Sequence, residues 1–482
     1  MTRSGLQVLP AGAESTLHDA SLTLLAETGV RVGSAVAVER LSGAGAAVET
    51  DGDEWRVRLP AALVERCIAD APASITCHGR DPASDFVAEP GRLGFATFGE
   101  CLHIIDTTTG RRREATRADC ARVARLVDAL EELPVMERTL APSDVPPATA
   151  PLHNLDVTLR NTGKHVFLGA GSRANLEVMV EMGYAAAGGR QRFMERPLFT
   201  ANVCPTSPLG LAAECCDVAS GAAETGLGIL VIPMSLAGGT APVTLAGVIA
   251  QHDAEVLATL VLAQVTRPGT PVIYGCVSTI MDLRSAASAV GAPEQALISA
   301  AAAAMARHRG LPSWVGGGIS DAKTTDAQAG YEYGLNALVP ALCGATIVYG
   351  AGALESGLTF DYGKLLLDCE AIAGIRRVRD GVMLGPEEVA LDVIAETGPY
   401  GSYLMHDHTL RGMRAQSRPR WFDRRSEAEW RADGAATADV VARQAATVII
   451  EEQDPVPLPS GAGAEMAGLL NDHEAACGLA TG

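Results

Sequence analysis

Hydrophobic and polar positions fall into a repeating pattern over most of the chain. Short apolar runs rich in Val, Ile and Leu alternate with longer segments whose apolar residues recur at helical spacing. The spacing predicts helices over 117–130, 152–160, 175–186, 211–224, 244–265, 294–307, 327–338 and 362–375. Strands are expected over 135–140, 165–169, 198–203, 229–234, 271–276, 313–315 and 346–349, with 93–98 as the eighth. The strands are short and apolar throughout, as parallel strands covered on both faces should be. Eight βα units in series fit an α/β fold of the (β/α)8 TIM-barrel kind better than an open sheet.

The flanks break this period. Residues 1–90 read as an N-terminal α+β cap: a helix over 17–30, a strand over 54–59 after the turn Asp51-Gly52, a helix over 60–69 opened by Pro60, and a strand over 75–78. The barrel is expected over 91–385, with paired strands over 93–106 closed by the turn Thr109-Gly110. Residues 386–482 form a C-terminal extension expected to pack on the barrel. It opens with a helix over 386–396, continues as a turn-rich basic and aromatic segment, and ends in a Gly- and Ala-rich helix expected to fray.

Composition narrows the function classes. Nearly half of the 482 residues are apolar, enough for a large buried core. A formal charge of −19 with few aromatics argues against nucleic acid and against an anionic membrane surface. The longest apolar stretch carries Gln251, His252, Asp253 and Glu255 near its middle, which lipid would penalise. The N-terminal residues lack the apolar core of a signal peptide, and eleven scattered cysteines form no CxxC pair. A reducing cytoplasm and self-association into a homo-oligomer are expected.

Chemistry on such a barrel comes from the C-terminal ends of its strands. Asn202, Ser235, Ser278, Asp282, Ser320, Asp321, Lys323 and Glu355 lie at or just past expected strand ends. Glu355 stands out because a charge just past a buried strand has no local structural task. Asp326 reads as a helix N-cap. Gly238-Gly239 and Gly316-Gly317-Gly318 follow alternate strands, either as plain turns or as an open mouth with room for a bulky cofactor. His406-Asp407-His408 falls beyond the barrel and is read as a solvated loop, a mouth-closing element or, least of all, a metal site. Cys204 and Cys276 end strands and read as small hydrophobes before they read as ligands. Gly169 to Ala174 matches G-x-G-x-x-A, but the next strand lacks the acidic residue a dinucleotide site needs, so a barrel turn is expected.

Several words in order carry a resemblance: Thr109-Gly110-Arg111-Arg112-Arg113, AGGTAPVTLAG from 237 to 247, PVIYG, GGGISDAK, DAQAGYE and ESGLTFDYGKLLLDCE. Together they resemble the corrinoid-dependent trimethylamine methyltransferase family, in its branch without pyrrolysine that is similar to glycine betaine methyltransferases. The resemblance implies a TIM barrel that moves a methyl group from an N-methylated amine to Co(I) of a corrinoid. That corrinoid is carried by a separate small partner protein at the barrel mouth, and the chain itself holds no metal and no covalent cofactor. All residues here are standard ones. The chemistry that the resemblance ties to pyrrolysine is therefore absent, and a quaternary amine such as a betaine is the expected substrate.

On this reading Glu355 and His406 are the catalytic candidates, and Asn202, Asp321 and Ser278 the substrate-binding ones. Gly238, Gly239, Gly317 and Gly318 would make room for the corrinoid. Asn202, Asp321, Glu355 and His406 are expected to line one cavity. A barrel that binds a methylated amine or a corrinoid carrier without catalysis, and a diverged lyase or hydrolase, remain as alternatives.

Overall fold

The computed structural model describes residues 6–479. Eight parallel strands form the barrel: β1 (Gly94–Thr97), β2 (Val135–Glu137), β3 (His165–Gly169), β4 (Phe199–Val203), β5 (Ile229–Val231), β6 (Val272–Cys276), β7 (Ser313–Gly316) and β8 (Ile347–Ala351). Each is hydrogen-bonded to the next from β2 through β8, and β8 pairs with β1. Between β1 and β2 the ladder gives way to a side chain. Thr97 Oγ1 accepts from the Glu137 amide at 3.2 Å and donates to the Glu137 carbonyl at 3.1 Å. Backbone bonds resume just past the strands, where the Glu100 and Cys101 amides donate to the Arg138 and Thr139 carbonyls, so the barrel is nearly closed.

Helices alternate with the strands: α1 (Arg117–Ala129), α2 (Ala150–Asn161), α3 (Arg173–Ala187), α4 (Ala213–Thr225), α5 (Leu245–Thr266), α6 (Pro293–His308), α7 (Ala327–Leu342) and α8 (Tyr362–Asp380). Local chemistry starts them. Thr116 and Asp119 form a reciprocal capping box on α1, and the Asp326 carboxylate accepts from the Gln328 and Ala329 amides at the start of α7. The G-x-G-x-x-A match is a barrel turn: Gly171 takes φ 76°, and Ser172 Oγ accepts from the Asn175 amide to open α3. Helix α5 has the length and composition of a membrane span, but 83% of its apolar window is buried within the fold.

Apolar side chains fill the inside of the barrel. Phe167 and Trp314 lie with ring centroids 4.2 Å apart, and Tyr349 lies 5.6 Å from Trp314. A hairpin of Ile75–Cys77 and Phe86–Ala88 packs with these residues in one cluster with Val135, Leu230 and Ile273. The strands begin at that end, so the hairpin plugs the N-terminal end and leaves the C-terminal end for a cavity.

The cap forms its own sheet. Val30–Val32 pairs with Glu54–Arg58, which pairs with Ala47–Asp51; on its other edge Val30–Val32 takes Gly210–Leu211, a stretch of the loop after β4. The expected helix over 17–30 ends earlier. Ala13–Thr23 runs into a wider turn over Leu24–Thr28, and Gly29 (φ 75°) then releases the chain into the strand. In the C-terminal extension, Ala438–Glu452 packs on α8 and Ala462–Ala476 packs on α2 and α3. The last helix is anchored near its end, where Glu474 accepts from Thr149 Oγ1 at 2.7 Å and pairs with His153 Nε2 at 2.8 Å.

Candidate active site

The C-terminal ends of the strands surround an open cavity of about 840 Å³. Two small sheets flank its mouth. One joins Ala353–Leu354, Thr359–Phe360, His103–Ile105 and Arg112–Glu114; the other joins Leu236–Ala237, Thr279–Asp282 and Ala287–Ala289. Phe98 and Tyr349 give the cavity an aromatic wall, with rings stacked within 6° of parallel and centroids 6.0 Å apart. Ile232, Met234, Val277 and Ile319 add apolar surface.

Into this apolar chamber β2 projects Glu137, which is 5% exposed. One carboxylate oxygen accepts from Asn202 Nδ2 at 2.6 Å, and the other is buried without a hydrogen-bond partner. No cation pairs with it among the described residues. Burial, opposed in part by the Asn202 bond, drives its carboxyl well above the usual range. Gly99 leaves the space it needs, since a Cβ there would sit 2.8 Å from Glu137 Cγ. A buried carboxylate with a free oxygen beside aromatic faces suits a cation that cannot donate a strong hydrogen bond.

Arg138 follows directly and also lines the cavity. Its side chain is 9% exposed, and its guanidinium meets the Glu100 carboxylate at the rim. Nη1 reaches the Gly169 carbonyl at 3.4 Å, and Nε is buried without a partner. Burial lowers its pKa to about 10, so it stays charged at neutral pH. Cys204 lines the cavity nearby. Lost hydration, and next the charge of Glu137, push its thiol up to about 11, which leaves little thiolate for nucleophilic or ligand chemistry. Among the described residues no group of three or more His, Cys, Asp or Glu is placed to hold a metal ion.

Of the residues singled out from the sequence, Asn202 lies in the cavity wall. Asp321 and Glu355 stand one step behind it, around Ser356, which does line it. Asp321 accepts from Ser356 Oγ at 2.7 Å and from the Val290 and Gly291 amides at 3.2 and 2.9 Å, tying the loop after β6 to the loop after β8. Glu355 accepts from Thr359 Oγ1 at 2.6 Å and pairs with Arg112 Nε at 2.9 Å. The Thr359 bond, with the Arg112 charge behind it, holds the Glu355 carboxyl below the ordinary range. Glu355 and Ser356 both take positive φ (53° and 57°), a costly turn for residues with side chains that is anchored by bonds to Ala322 and Ser320 carbonyls.

The other candidates lie elsewhere. Ser278 is fully buried; its Oγ accepts from the Ser235 amide and meets His252 Nδ1 at 3.0 Å, joining the loops after β5 and β6. Cys276 is buried in the core. Gly317 and Gly318 permit close approach, but of the chain to itself. A Cβ on Gly317 would lie 2.6 Å from the Asn336 carbonyl oxygen, and one on Gly318 would lie 2.8 Å from the Tyr333 ring. Gly238 and Gly239 follow the Leu236–Ala237 strand of the second mouth sheet, packed under Leu283 and Met281. His406 is not in the cavity wall. It caps the short helix Asp407–Gly412 and lies 3.6 Å from Glu396, in an extension that returns to the barrel where Arg420 pairs with Glu132, just ahead of β2 at the far end of the strands.

Glu137 was missed as a candidate, although a signal existed. Glu137-Arg138 is a charged pair in the middle of the strand predicted over 135–140, an otherwise uncharged run from Pro134 to Leu140. Glu137 ends β2 and Arg138 is the first residue past it, so the strand's alternation no longer sends the two side chains to opposite faces, and both line the cavity.

Comparison with known proteins fits this architecture. Solved structures of a Methanosarcina barkeri monomethylamine methyltransferase and of a hydroxylamine complex of MtmB superpose with TM-scores of 0.56 and 0.58. They cover 93% and 95% of this chain and 89% and 90% of theirs at 11% and 12% identity, a likeness of fold alone. In sequence, the trimethylamine methyltransferase MttB of Desulfitobacterium hafniense is 39% identical over 96% of this chain and 93% of its own. A glycine betaine methyltransferase of the same species is 32% identical over 82% of this chain and 81% of its own. The family model described as trimethylamine methyltransferase (MTTB) matches residues 2–478, and the chain belongs to that family.

Proposed function

We propose that this protein demethylates a quaternary amine of the betaine type and passes the methyl group to Co(I) of a corrinoid held on a separate small carrier protein. The observation that carries the reading is the buried, half-partnered carboxylate of Glu137 beside the stacked rings of Phe98 and Tyr349. A quaternary ammonium offers charge without an N–H, so it is held by diffuse charge and aromatic faces. Family membership supplies the reaction class, and the glycine betaine methyltransferase among the relatives supports the substrate type.

A Co(I) corrinoid on its carrier would supply the nucleophile that accepts the methyl group. The nitrogen keeps the C–N pair and leaves as a neutral tertiary amine. No proton is needed at the departing nitrogen, because its leaving group is already good. The chain's residues then have three tasks. Glu137 and the rings hold the ammonium, the apolar walls exclude water from the reacting methyl, and the barrel orients it toward the open mouth. Asn202 fixes the Glu137 carboxylate through its 2.6 Å bond. Two bonded pairs, Asp321 with Ser356 and Glu355 with Arg112, shape the mouth.

The test is direct. Purified protein, a panel of quaternary amines and chemically reduced cobalamin are mixed, and methylcobalamin is followed by absorbance with the tertiary amine product assayed in parallel. Equal yields of both with one or more betaines are expected. Binding without methyl transfer, once the carrier protein is also supplied, would overturn the catalytic reading and leave a binding barrel.

A further inference from the structure

We infer that Arg138 is a carboxylate subsite, and that Glu100 occupies it as an internal stand-in which a zwitterionic substrate displaces. The inference rests on the cavity being the amine site, and it adds the second half of the ligand: an anionic group beside the ammonium.

Three observations converge. Arg138 is a built group: its side chain is 9% exposed, its Nε is buried and unpartnered, and its Nη1 makes only a long contact to Gly169. A desolvated guanidinium needs an anion, and its planar fork favours a carboxylate. The anion it meets, Glu100, is 51% exposed. That carboxylate can return to water at little cost, whereas the guanidinium cannot. Glu100 also sits at φ 68°, in a loop anchored by its own amide, which donates to the Arg138 carbonyl at 2.8 Å. The backbone is pinned by that bond, and the side chain already reaches solvent on its other side.

The charge pattern then matches a zwitterion. The cavity presents one buried acid with no cation, Glu137, and one buried cation whose acid is exchangeable, Arg138; Glu214, also in the wall, is exposed to water. A betaine fills both: its ammonium meets Glu137, and its carboxylate replaces Glu100. A cation without a carboxylate, such as choline or tetramethylammonium, fills the first and leaves the Arg138–Glu100 pair intact. Glu100 thereby sets specificity, since every carboxylate-bearing ligand competes with it and no other ligand does.

The experiment is calorimetric and thermal-shift titration of the full chain with three probes: glycine betaine, tetramethylammonium and acetate. Glu100→Gln removes the competitor at a half-exposed position. It should tighten glycine betaine by about tenfold and reveal acetate binding, while tetramethylammonium changes by less than about twofold. Arg138→Gln in the Glu100→Gln background should abolish the acetate response and the gain for betaine. Should that variant fail to fold, Arg138→Lys keeps the charge and loses the fork, and should lose most of the gain. Acetate is the arm that separates the two readings. Acetate binding that depends on Glu100→Gln and on Arg138, without binding of either ammonium probe, upholds the subsite and sinks the amine reading. Tetramethylammonium binding through Glu137, with betaine and acetate indifferent to Glu100→Gln, overturns the subsite and leaves the amine reading standing. Loss of all three responses overturns both.

Discussion

Glu137→Gln tests the core of the proposed site. The substitution keeps the shape and an oxygen to accept the 2.6 Å bond from Asn202, and removes only the charge. For a cation about 5 Å from the carboxylate at an effective dielectric of about 20, the lost attraction is about 3 kcal/mol, or about 10²-fold in affinity at a pH where the free carboxyl is ionised, and less below it. Methyl departure neutralises the ammonium, so the carboxylate favours the bound substrate more than the reaction beyond it. The loss should therefore fall on KM, with kcat changed by less than about tenfold. Burial raises the Glu137 carboxyl well above 4.5, so the free site carries a proton over a range where solvated glutamates are ionised. A bound cation favours the ionised form and expels that proton. Affinity for tetramethylammonium should then rise by up to about tenfold per pH unit until the free carboxyl ionises, and should be flat with pH in the variant. Stability runs the opposite way. The native state holds more protons than the unfolded chain between 4.5 and the raised value, so ligand-free stability falls as pH climbs through that window. Melts of wild type and variant should thus diverge in favour of Gln as pH rises. Steady-state demethylation, titration calorimetry in buffers of different ionisation enthalpy, and thermal melts supply the readouts. An unchanged KM with a pH-independent affinity would refute the assignment of Glu137.

Other expectations follow from the same geometry. Tyr349→Leu or Phe98→Leu removes one of two stacked aromatic faces and should weaken quaternary ammonium binding by about 1–2 kcal/mol, roughly 5- to 30-fold by calorimetry. Glu355→Gln should alter KM by less than about threefold, because that carboxylate is already paired with Arg112 and Thr359; a drop in kcat of about 10²-fold would instead give it proton transfer to the departing amine. Gly317→Ala drives a Cβ to within 2.6 Å of the Asn336 carbonyl oxygen and Val348 Cγ1, and denaturant unfolding should show a loss of about 1–3 kcal/mol.

The periodic pattern alone determined the barrel. Buried parallel strands must be apolar on both faces, and each needs a helix to return the chain, so the alternation of short apolar runs and longer amphipathic segments admits few other folds. Helix starts were equally legible, because a cap is local chemistry: Asp326 bonds to amides two and three residues ahead of it. Tertiary structure decided the site. Glu137 and Asn202 are 65 residues apart in sequence and meet only because β2 and β4 flank β3 and point side chains into one interior. Whether a carboxylate past a strand end is paired is also a long-range matter. Arg112 reaches Glu355 across 243 residues, whereas no cation reaches Glu137 among the described residues. The same holds for the glycines. Sequence shows where a Cβ is missing, but only the packed neighbours show what fills the gap, and at Gly317 and Gly318 that is the chain's own α7 and β8.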